Sequence, residues 1–212
     1  MPRQREFDPQ EVLSRVMVLF WQRGYLDTSI DDIVRITGVS RYGLYSTFGD
    51  KYELFVKAMD YYSRTTIQGL LGPMEGPDGG REEILHYFDR LLAALDRPED
   101  RLGCLIGNAS VELVDAGAEV SRRIAAHFSR MRRAFVHALT NAMAKEEISR
   151  FSEDGGAALG KTSQADSDDT RDVESLADYL VGVATGYLVC IRGGIPDDQV
   201  RRFIRTALAW LY

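Results

Sequence analysis

Four helix-start signals follow one another between residues 8 and 50 of the chain. The capping residues are Asp8, Ser29, Ser40 and Asp50. Each precedes apolar residues at helical spacing, and side-chain oxygens of this kind accept hydrogen bonds from the free N–H groups of a first helical turn. Gly24 and Gly38 end the first two helices. Signals this close together leave room only for short helices, so the segment is predicted to form a compact helical unit.

Apolar residues continue at helical spacing through most of the remaining chain. The stripes cover residues 84–95, 124–139, 176–191 and 200–211. The sequence has no alternating β-type runs of any length, no heptads and no internal repeats. A stretch from about Ser149 to Thr170, rich in Gly, Ser, Asp and Ala, has no periodicity and is predicted to be a mobile loop. The predicted fold is therefore all-α, with about nine helices.

Composition excludes several classes of protein. The net charge of −6 argues against a protein that coats nucleic acid without regard to sequence, because such binding needs a broad positive field. The sequence has no run of eighteen consecutive apolar residues and no apolar segment of the signal-peptide kind behind residues 1–10, so a cytoplasmic protein with no membrane partner is expected. Cys104 and Cys190 have no CxxC partner and the histidines are scattered, so no metal and no cofactor are expected.

The turn from Thr37 to Ser40 joins two of the short helices. Such a turn lets the second helix enter the major groove of DNA while the first braces it. The surrounding run VLFWQRGYLDTSIDDIVRITGVSRYGLYSTFGDKYELF, from Val18 to Phe55, closely resembles the N-terminal signature of the TetR family of regulators, of the AcrR-like type. The resemblance implies a three-helix helix-turn-helix DNA-binding domain over residues 1–48 and a larger helical ligand-binding and dimerisation domain over residues 49–212.

The resemblance also implies which residues contact DNA. The predicted DNA-binding residues are Thr28, Ser29, Ser40, Arg41, Tyr42, Tyr45, Thr47 and Lys51. Arg41 and Tyr42 would face bases from the start of the recognition helix. Four residues would hold phosphates through hydroxyl, ammonium and backbone N–H donors, namely Thr28, Ser29, Tyr45 and Lys51. Arg41 is the best candidate for direct readout, because a guanidinium can donate twice to guanine, which is worth about 1–3 kcal/mol of discrimination.

In TetR relatives the middle helices enclose an effector pocket and the last two helices pair with those of a second subunit. The apolar last two helices of this chain independently favour a homodimer, with burial inside one subunit as the alternative. A mostly apolar cavity with a few polar groups suits a small ligand. The predicted pocket residues are Phe88, Leu92, Cys104, Asn108, His127, Met131 and Tyr187. Each of them also fits an ordinary core position.

Cys104, Asn108 and Glu112 lie on one face of a predicted helix, at positions i, i+4 and i+8. A polar stripe on a packed helix needs partners. The Gly-Cys-Leu segment that contains Cys104 is similar to one in a subset of TetR regulators, some of which respond to electrophiles or oxidants. A place in the first helical turn would favour the thiolate of Cys104 through the helix dipole. The alternative is a small buried hydrophobic residue.

Together these features predict a ligand-responsive, sequence-specific transcriptional regulator. Its partners would be a near-palindromic double-stranded DNA operator, an unknown small-molecule effector and a second copy of the chain, with repression as the expected effect. An enzyme is not expected, because the sequence has no Ser-His-Asp signature, no glycine-rich phosphate loop and no carboxylate pair with a visible partner. The alternative is a helical protein-interaction module without DNA readout.

Overall fold

Helices make up all the regular secondary structure that the computed structural model describes, over residues 7–97, 101–113, 115–148 and 165–212, with side chains from residue 173 in the last range. The helices are α1 (Pro9–Arg23), α2 (Ile30–Thr37), α3 (Arg41–Phe48), α4 (Lys51–Tyr62), α5 (Gln68–Glu75), α6 (Arg81–Ala93), α7 (Leu105–Glu112), α8 (Gly117–Ala144), α9 (Ala165–Arg192) and α10 (Asp197–Ala207). A π-helical turn, Ser63–Ile67, joins α4 to α5 without interruption, so the ten segments form nine continuous helices within these ranges. The predicted all-α class is confirmed.

The predicted helix starts are confirmed by side-chain hydrogen bonds. Each capping residue accepts from a backbone N–H of the first turn, and the four are Asp8, Ser29, Ser40 and Asp50. Gly24 and Gly38 follow α1 and α2 with φ angles of 86° and 71°, which favour glycine. A side-chain cap at the start of a helix, as at these four residues, stabilises the helix by about 1 kcal/mol. Local sequence therefore sets where these short helices begin and end.

Contacts between helices divide the described chain into two compact units. The first unit contains α1 to α4, α7 and the first part of α8, from residues up to 68 and from 102–127. The second unit contains α5, α6, the rest of α8, α9 and α10, from residues 69–101 and 128–212. The predicted boundary at residue 48 does not coincide with a boundary between these packing units, and the division of functions at that residue stays a prediction.

Aromatic side chains hold α1 against α4 in the first unit. Phe20 and Phe55 meet edge to face with ring centroids 4.9 Å apart, and each is 1% exposed. Ile33 of α2 and Leu44 of α3 are buried with them. Burial of side chains of this size stabilises the folded state by about 1.5–3 kcal/mol each. Helix α2 packs against α1, and α3 packs against α4.

The second unit has its own aromatic core. Tyr87 and Phe88 of α6 pack against Phe135 of α8, with ring centroids 5.4 Å and 6.0 Å from that of Phe135. On the surface Arg132 of α8 forms an ion pair with Asp178 of α9 at 2.6 Å. Helix α9 in turn packs against α10.

One stretch of α9, Val173–Arg192, is long and apolar enough by composition to cross a membrane, with a mean hydropathy of 1.3. It nevertheless carries Glu174 and Asp178, and both side chains lie near Arg132. Its buried residues lie along one side of the helix and are Val173, Ala177, Leu180, Val183, Ala184, Tyr187 and Ile191. This one-sided pattern is typical of an amphipathic helix with one face toward a protein core.

The predicted loop from about Ser149 to Thr170 lies outside the described residues as far as position 164. The prediction is wrong at its C-terminal end, because α9 already begins at Ala165. Residues 165–172 are rich in aspartate. Negative charges in the first turns of a helix are stabilised by the helix dipole, so a segment without apolar periodicity can still be helical there.

Candidate nucleic-acid interface

A left-handed glycine makes the turn between α2 and α3 tight. Gly38 has φ 71° and ψ 2°, and its N–H donates to the carbonyl of Val34 at 2.8 Å. The Thr37 hydroxyl donates to the carbonyl of Ile33 at 2.7 Å and accepts from the N–H of Val39 at 3.3 Å. The polar groups of the turn thus bond within it and with the end of α2. The angle between α2 and α3 is fixed as a result.

Helix α3 has an inner and an outer face. Leu44 and Phe48 are 1% and 3% exposed and pack inside the first unit. On the outer face Tyr42 is 82% exposed and Tyr45 is 45% exposed, beside an exposed Arg41. Large aromatic groups left in water contribute little to folding and are typical of a contact surface. The structure therefore brings together three of the residues predicted from the sequence to face DNA.

The Arg41 guanidinium is held by a carboxylate of α2. Nη2 of Arg41 lies 2.5 Å from Oδ1 of Asp31, and Nε lies 3.2 Å from the same oxygen. This hydrogen bonding raises the pKa of Arg41 above its ordinary value. Both contacts use one edge of the guanidinium, so Nη1 is left for another acceptor. An exposed ion pair adds little stability, and its main effect is to direct Arg41.

Two predicted phosphate-binding residues stand at helix starts. Ser29 is exposed at the N-terminus of α2, where free backbone N–H groups favour anions. Lys51 is the first residue of α4, and its Nζ lies 4.3 Å from the centre of the Tyr25 ring. Partial burial lowers the pKa of Lys51. The ring of Tyr25 thus holds the ammonium group of Lys51.

The structure places Thr28 in the core rather than on this surface. Thr28 is fully buried, and its hydroxyl donates to the carbonyl of Gly24 at 2.7 Å. Its backbone N–H already donates to the carbonyl of Tyr25. Thr28 therefore closes the loop between α1 and α2 and has no donor left for a phosphate. Ser40 is exposed as the cap of α3 and Thr47 is half-buried.

Comparison with known proteins identifies the family. A family model described as bacterial regulatory proteins, tetR family, matches residues 13–58, and one described as tetracyclin repressor-like, C-terminal domain, matches residues 80–153. The HTH-type transcriptional regulator YezE of Bacillus subtilis strain 168 is 31% identical over 148 residues, which are 70% of this chain and 76% of YezE. The chain belongs to the TetR family.

Two further similarities cover almost the whole chain. The HTH-type transcriptional repressor ComR of Escherichia coli K12 is 23% identical over 207 residues, 97% of this chain and 90% of ComR. The TetR family regulator CifR, in a cysteine mutant complexed with 26-base-pair double-strand operator DNA, has a TM-score of 0.78 and 23% identity over 98% of both chains. This likeness confirms the TetR fold that the sequence predicted. The AcrR-like type stays a prediction.

Two predicted pocket residues of this TetR-family chain line a cavity in the second unit. Phe88 and Leu92 of α6 face Ile204 and Leu208 across a space of about 400 Å³. A cavity of this size is within the range that small organic ligands occupy. The charged residues that also line it are Asp89, Asp96, Arg201 and Arg205, and Arg205 forms no ion pair with any residue that the structure describes. A lining with both apolar and charged residues suits an amphipathic molecule.

Met131 and Tyr187 are core residues in the same unit. The sulfur of Met131 accepts a hydrogen bond from the Tyr87 hydroxyl at 3.6 Å. The Tyr187 hydroxyl donates to the carbonyl of Leu91, and burial raises the pKa of Tyr187 to about 12. Both side chains are thus used in holding the helices together. They do not line the cavity formed by Phe88 and Leu92.

Cys104 and His127 form a buried pair in the first unit. Sγ of Cys104 lies 3.5 Å from Nε2 of His127 and accepts from the N–H of Gly107 at 3.4 Å. Cys104 is the cap of α7 rather than a member of its first turn. Burial raises the pKa of the Cys104 thiol, which outweighs the hydrogen bonds that favour the thiolate. Burial therefore favours the neutral thiol of Cys104 over its thiolate.

The other two members of the polar stripe on α7 also have partners. Nδ2 of Asn108 donates to the carbonyl of Leu102 at 2.8 Å. The Glu112 carboxylate accepts from the backbone N–H groups of Tyr25 at 3.1 Å and Leu26 at 2.7 Å. The sequence indicated that the stripe needs partners. It gave no signal for those of Glu112, which lie in the loop between α1 and α2, far away in sequence.

Removing the cap of α2 should change the titration of Asp32. Hydrogen bonds from Ser29 lower the pKa of Asp32 from 3.8 to about 2. The folded pKa is depressed, so the stability that Asp32 contributes is present above its ordinary pKa and is lost as the pH falls toward 2. In Ser29→Ala the pKa of Asp32 should rise toward 3.8 and the pH dependence of stability between these values should flatten. NMR titration of the carboxyl groups measures this.

Ser121→Ala is the matched control, because Ser121 is an exposed serine of α8. It should leave the pKa of Asp32 unchanged. An Asp32 pKa that is the same in Ser29→Ala as in the wild type would contradict the role of the cap.

Proposed function

We propose that this chain is a sequence-specific DNA-binding repressor that acts as a homodimer and is released from a near-palindromic operator by a small molecule. The observation that carries the proposal is the outer face of α3, where Arg41, Tyr42 and Tyr45 are exposed above a buried apolar face. A protein-interaction module is the alternative. The guanidinium of Arg41 favours DNA, because it matches the acceptors on base edges.

The overall charge limits how the DNA contact works. The chain carries a net charge of −6, so attraction to phosphate depends on individual groups such as Lys51 at the start of α4. In a dimer, two copies of Lys51 would neutralise two phosphates. Counterion release from two phosphates lowers affinity about tenfold between 50 and 200 mM salt. Modest salt dependence with strong sequence preference is therefore the expected behaviour.

Operator binding tests the DNA half of the proposal. Duplexes covering the DNA upstream of the gene are titrated with the protein by fluorescence anisotropy at two salt concentrations. The wild type should bind one near-palindromic site with nanomolar affinity, and Arg41→Ala should weaken this by at least about tenfold, because a bidentate guanine contact is worth ~1–3 kcal/mol. The affinity for unrelated duplexes should change little.

Arg122→Ala is the matched control, since Arg122 is also an exposed, ion-paired arginine but lies on α8. It should bind the operator as the wild type does. Weak binding that is equal for every duplex and unchanged in Arg41→Ala would favour a protein-interaction module instead.

The outer face of α10 supports dimerisation. Val200, Ile204 and Ala207 face inward and are buried. Phe203 is 40% exposed on another side of the helix, close to Tyr179 of α9, which is 45% exposed. The two aromatic side chains help line an open groove of about 460 Å³. A two-fold pairing of two copies would cover this apolar surface on both subunits at once.

The dimer should depend on Phe203. A charge in the middle of a buried apolar interface has no partner, so Phe203→Asp should convert the dimer to a monomer that remains folded. Size-exclusion chromatography with light scattering measures the mass, and circular dichroism checks the fold. Val18→Asp is the control, because Val18 is 38% exposed on α1 and should leave the dimer intact. A wild-type monomer, or a dimeric Phe203→Asp, would contradict the proposed interface.

The cavity between α6 and α10 supports a ligand-binding role. Its apolar walls, Phe88, Leu92, Ile204 and Leu208, would hold the body of a small amphipathic molecule. Arg201 is held by Asp96 at 2.7 Å, which leaves Arg205 as the cation for an acidic group. A ligand that binds the form without DNA more tightly shifts the population away from the operator.

Filling this cavity should block the ligand. Decanoate serves as an amphipathic acid probe, with decylammonium as the probe of opposite charge. The wild type should bind decanoate in calorimetry, and Leu92→Trp should not, because the indole occupies the space. Leu85→Trp is the control, since Leu85 is half-buried on the same helix away from the cavity. Equal decanoate binding in both variants, or none in the wild type, would contradict the assignment of the cavity.

A further inference from the structure

The Glu112 carboxylate is a clamp on the loop between α1 and α2. Its two oxygens accept hydrogen bonds from two successive backbone N–H groups, Tyr25 at 3.1 Å and Leu26 at 2.7 Å. Hydrogen bonds to an ionised acceptor are about twice as strong as neutral ones. Glu112 is the last residue of α7 and is half-buried. One side chain thus joins the end of α7 to the backbone of the helix-turn-helix segment.

The loop is shaped to admit this carboxylate. Gly24 has φ 86°, and a Cβ atom built on it would lie 2.6 Å from Oε2 and 2.7 Å from Oε1 of Glu112. A Cβ atom at position 24 would displace the carboxylate, and the residue would also be strained by the positive φ. The positive φ therefore favours glycine at position 24, and the absence of a Cβ atom leaves the space that the Glu112 carboxylate occupies.

The clamped loop carries groups of the proposed DNA surface. It leads directly into Ser29, the cap of α2. The ring of Tyr25 supports the ammonium group of Lys51 at 4.3 Å. Burial lowers the pKa of Lys51, and the negative charge of Glu112 opposes this effect. Glu112 thus acts on the backbone before α2 and on the charge of the first residue of α4.

The other end of α7 is also tied to α1. Nε1 of Trp21 donates to the carbonyl of Gly103, just before α7, at 3.1 Å. Both ends of α7 are therefore fixed to the end of α1 and the loop that follows it. Residues 103–112 belong to the part of the chain that the C-terminal family model matches. A contact from that part thus sets the conformation of the segment before α2.

We propose that Glu112 is a positioning residue for DNA binding, which holds the Tyr25–Leu26 backbone, and through it Lys51 and the start of α2, in the geometry that contacts phosphates. The proposal rests on the proposed function, because it assumes that this surface binds operator DNA. Glu112 itself touches no DNA in this assignment. Any movement of α7 that withdraws the carboxylate would lower operator affinity without changing a DNA-contacting residue.

The sign of a charge-neutralising substitution separates positioning from plain electrostatics. A carboxylate near a DNA surface repels phosphate, so removing its charge would raise operator affinity if charge were its only effect. If Glu112 positions the loop, removing its charge lowers operator affinity instead. In Glu112→Gln the amide oxygen can accept from only one of the two N–H groups, and the amide NH₂ faces the other. Glu112→Ala removes both hydrogen bonds.

The experiment compares Glu112→Gln and Glu112→Ala with the wild type. Operator affinity is measured by fluorescence anisotropy, and hydrogen exchange of the Tyr25 and Leu26 amides by NMR on the free protein. Glu119→Gln is the control, because it removes the same charge from a carboxylate that pairs with Arg122 and Arg123 of α8. We expect operator affinity to fall about tenfold in Glu112→Gln and further in Glu112→Ala, with faster exchange at both amides and no change in Glu119→Gln.

A merely structural role would instead lower the melting temperature and speed exchange throughout the first unit. Equal or tighter operator binding by Glu112→Gln, or unchanged exchange at Tyr25 and Leu26, would overturn the proposal. Operator binding by the wild type distinguishes failure of the Glu112 proposal from failure of the proposed function. If the wild type binds its operator and Glu112→Gln binds equally well, only the clamp fails, whereas a wild type that binds no duplex specifically removes the proposed function itself.

Discussion

An eight-residue helix is not stable alone in water, and this constraint governs the first unit. Helix α3 comprises only Arg41–Phe48. Helix nucleation is costly, and a segment this short stays helical only when its apolar face is buried. Leu44 and Phe48 supply that buried face, and α3 packs against α2 and α4. The residues on the outer face of α3 consequently do not need to pack against the rest of the first unit.

The difference between local contacts and contacts between distant parts of the chain explains which parts of the fold were predictable from sequence. Caps and helix ends are local, because Ser29 bonds three residues ahead and Gly38 ends its own helix. Those predictions are confirmed. The burial of Thr28 was not apparent from the sequence, because the contact of its hydroxyl with the Gly24 carbonyl depends on how the loop after α1 folds back. The start of α9 at Ala165 was missed because helix formation there does not depend on apolar periodicity.

Long-range polar contacts were the least predictable part of the candidate site. The α7 stripe was recognised as needing partners, but those of Glu112 lie 87 and 86 positions away in sequence. Nothing in the residues around Tyr25 indicates a carboxylate, apart from Gly24. Cys104 illustrates a competition of effects, since the hydrogen bonds at a helix start favour a thiolate and burial opposes it. Burial is the larger effect here, which raises the pKa of the thiol.

Carboxylates therefore have an organising role in a surface proposed to bind a polyanion. Asp31 directs Arg41, Asp32 caps α2 with Ser29, and Glu112 holds the loop before it. Each negative charge weakens the attraction for phosphate, but each also fixes a donor or a backbone segment. In a chain with a net charge of −6, binding through a diffuse positive field is not available. Preorganised donors are then the main source of affinity, so the groups that hold them in place matter as much as the donors.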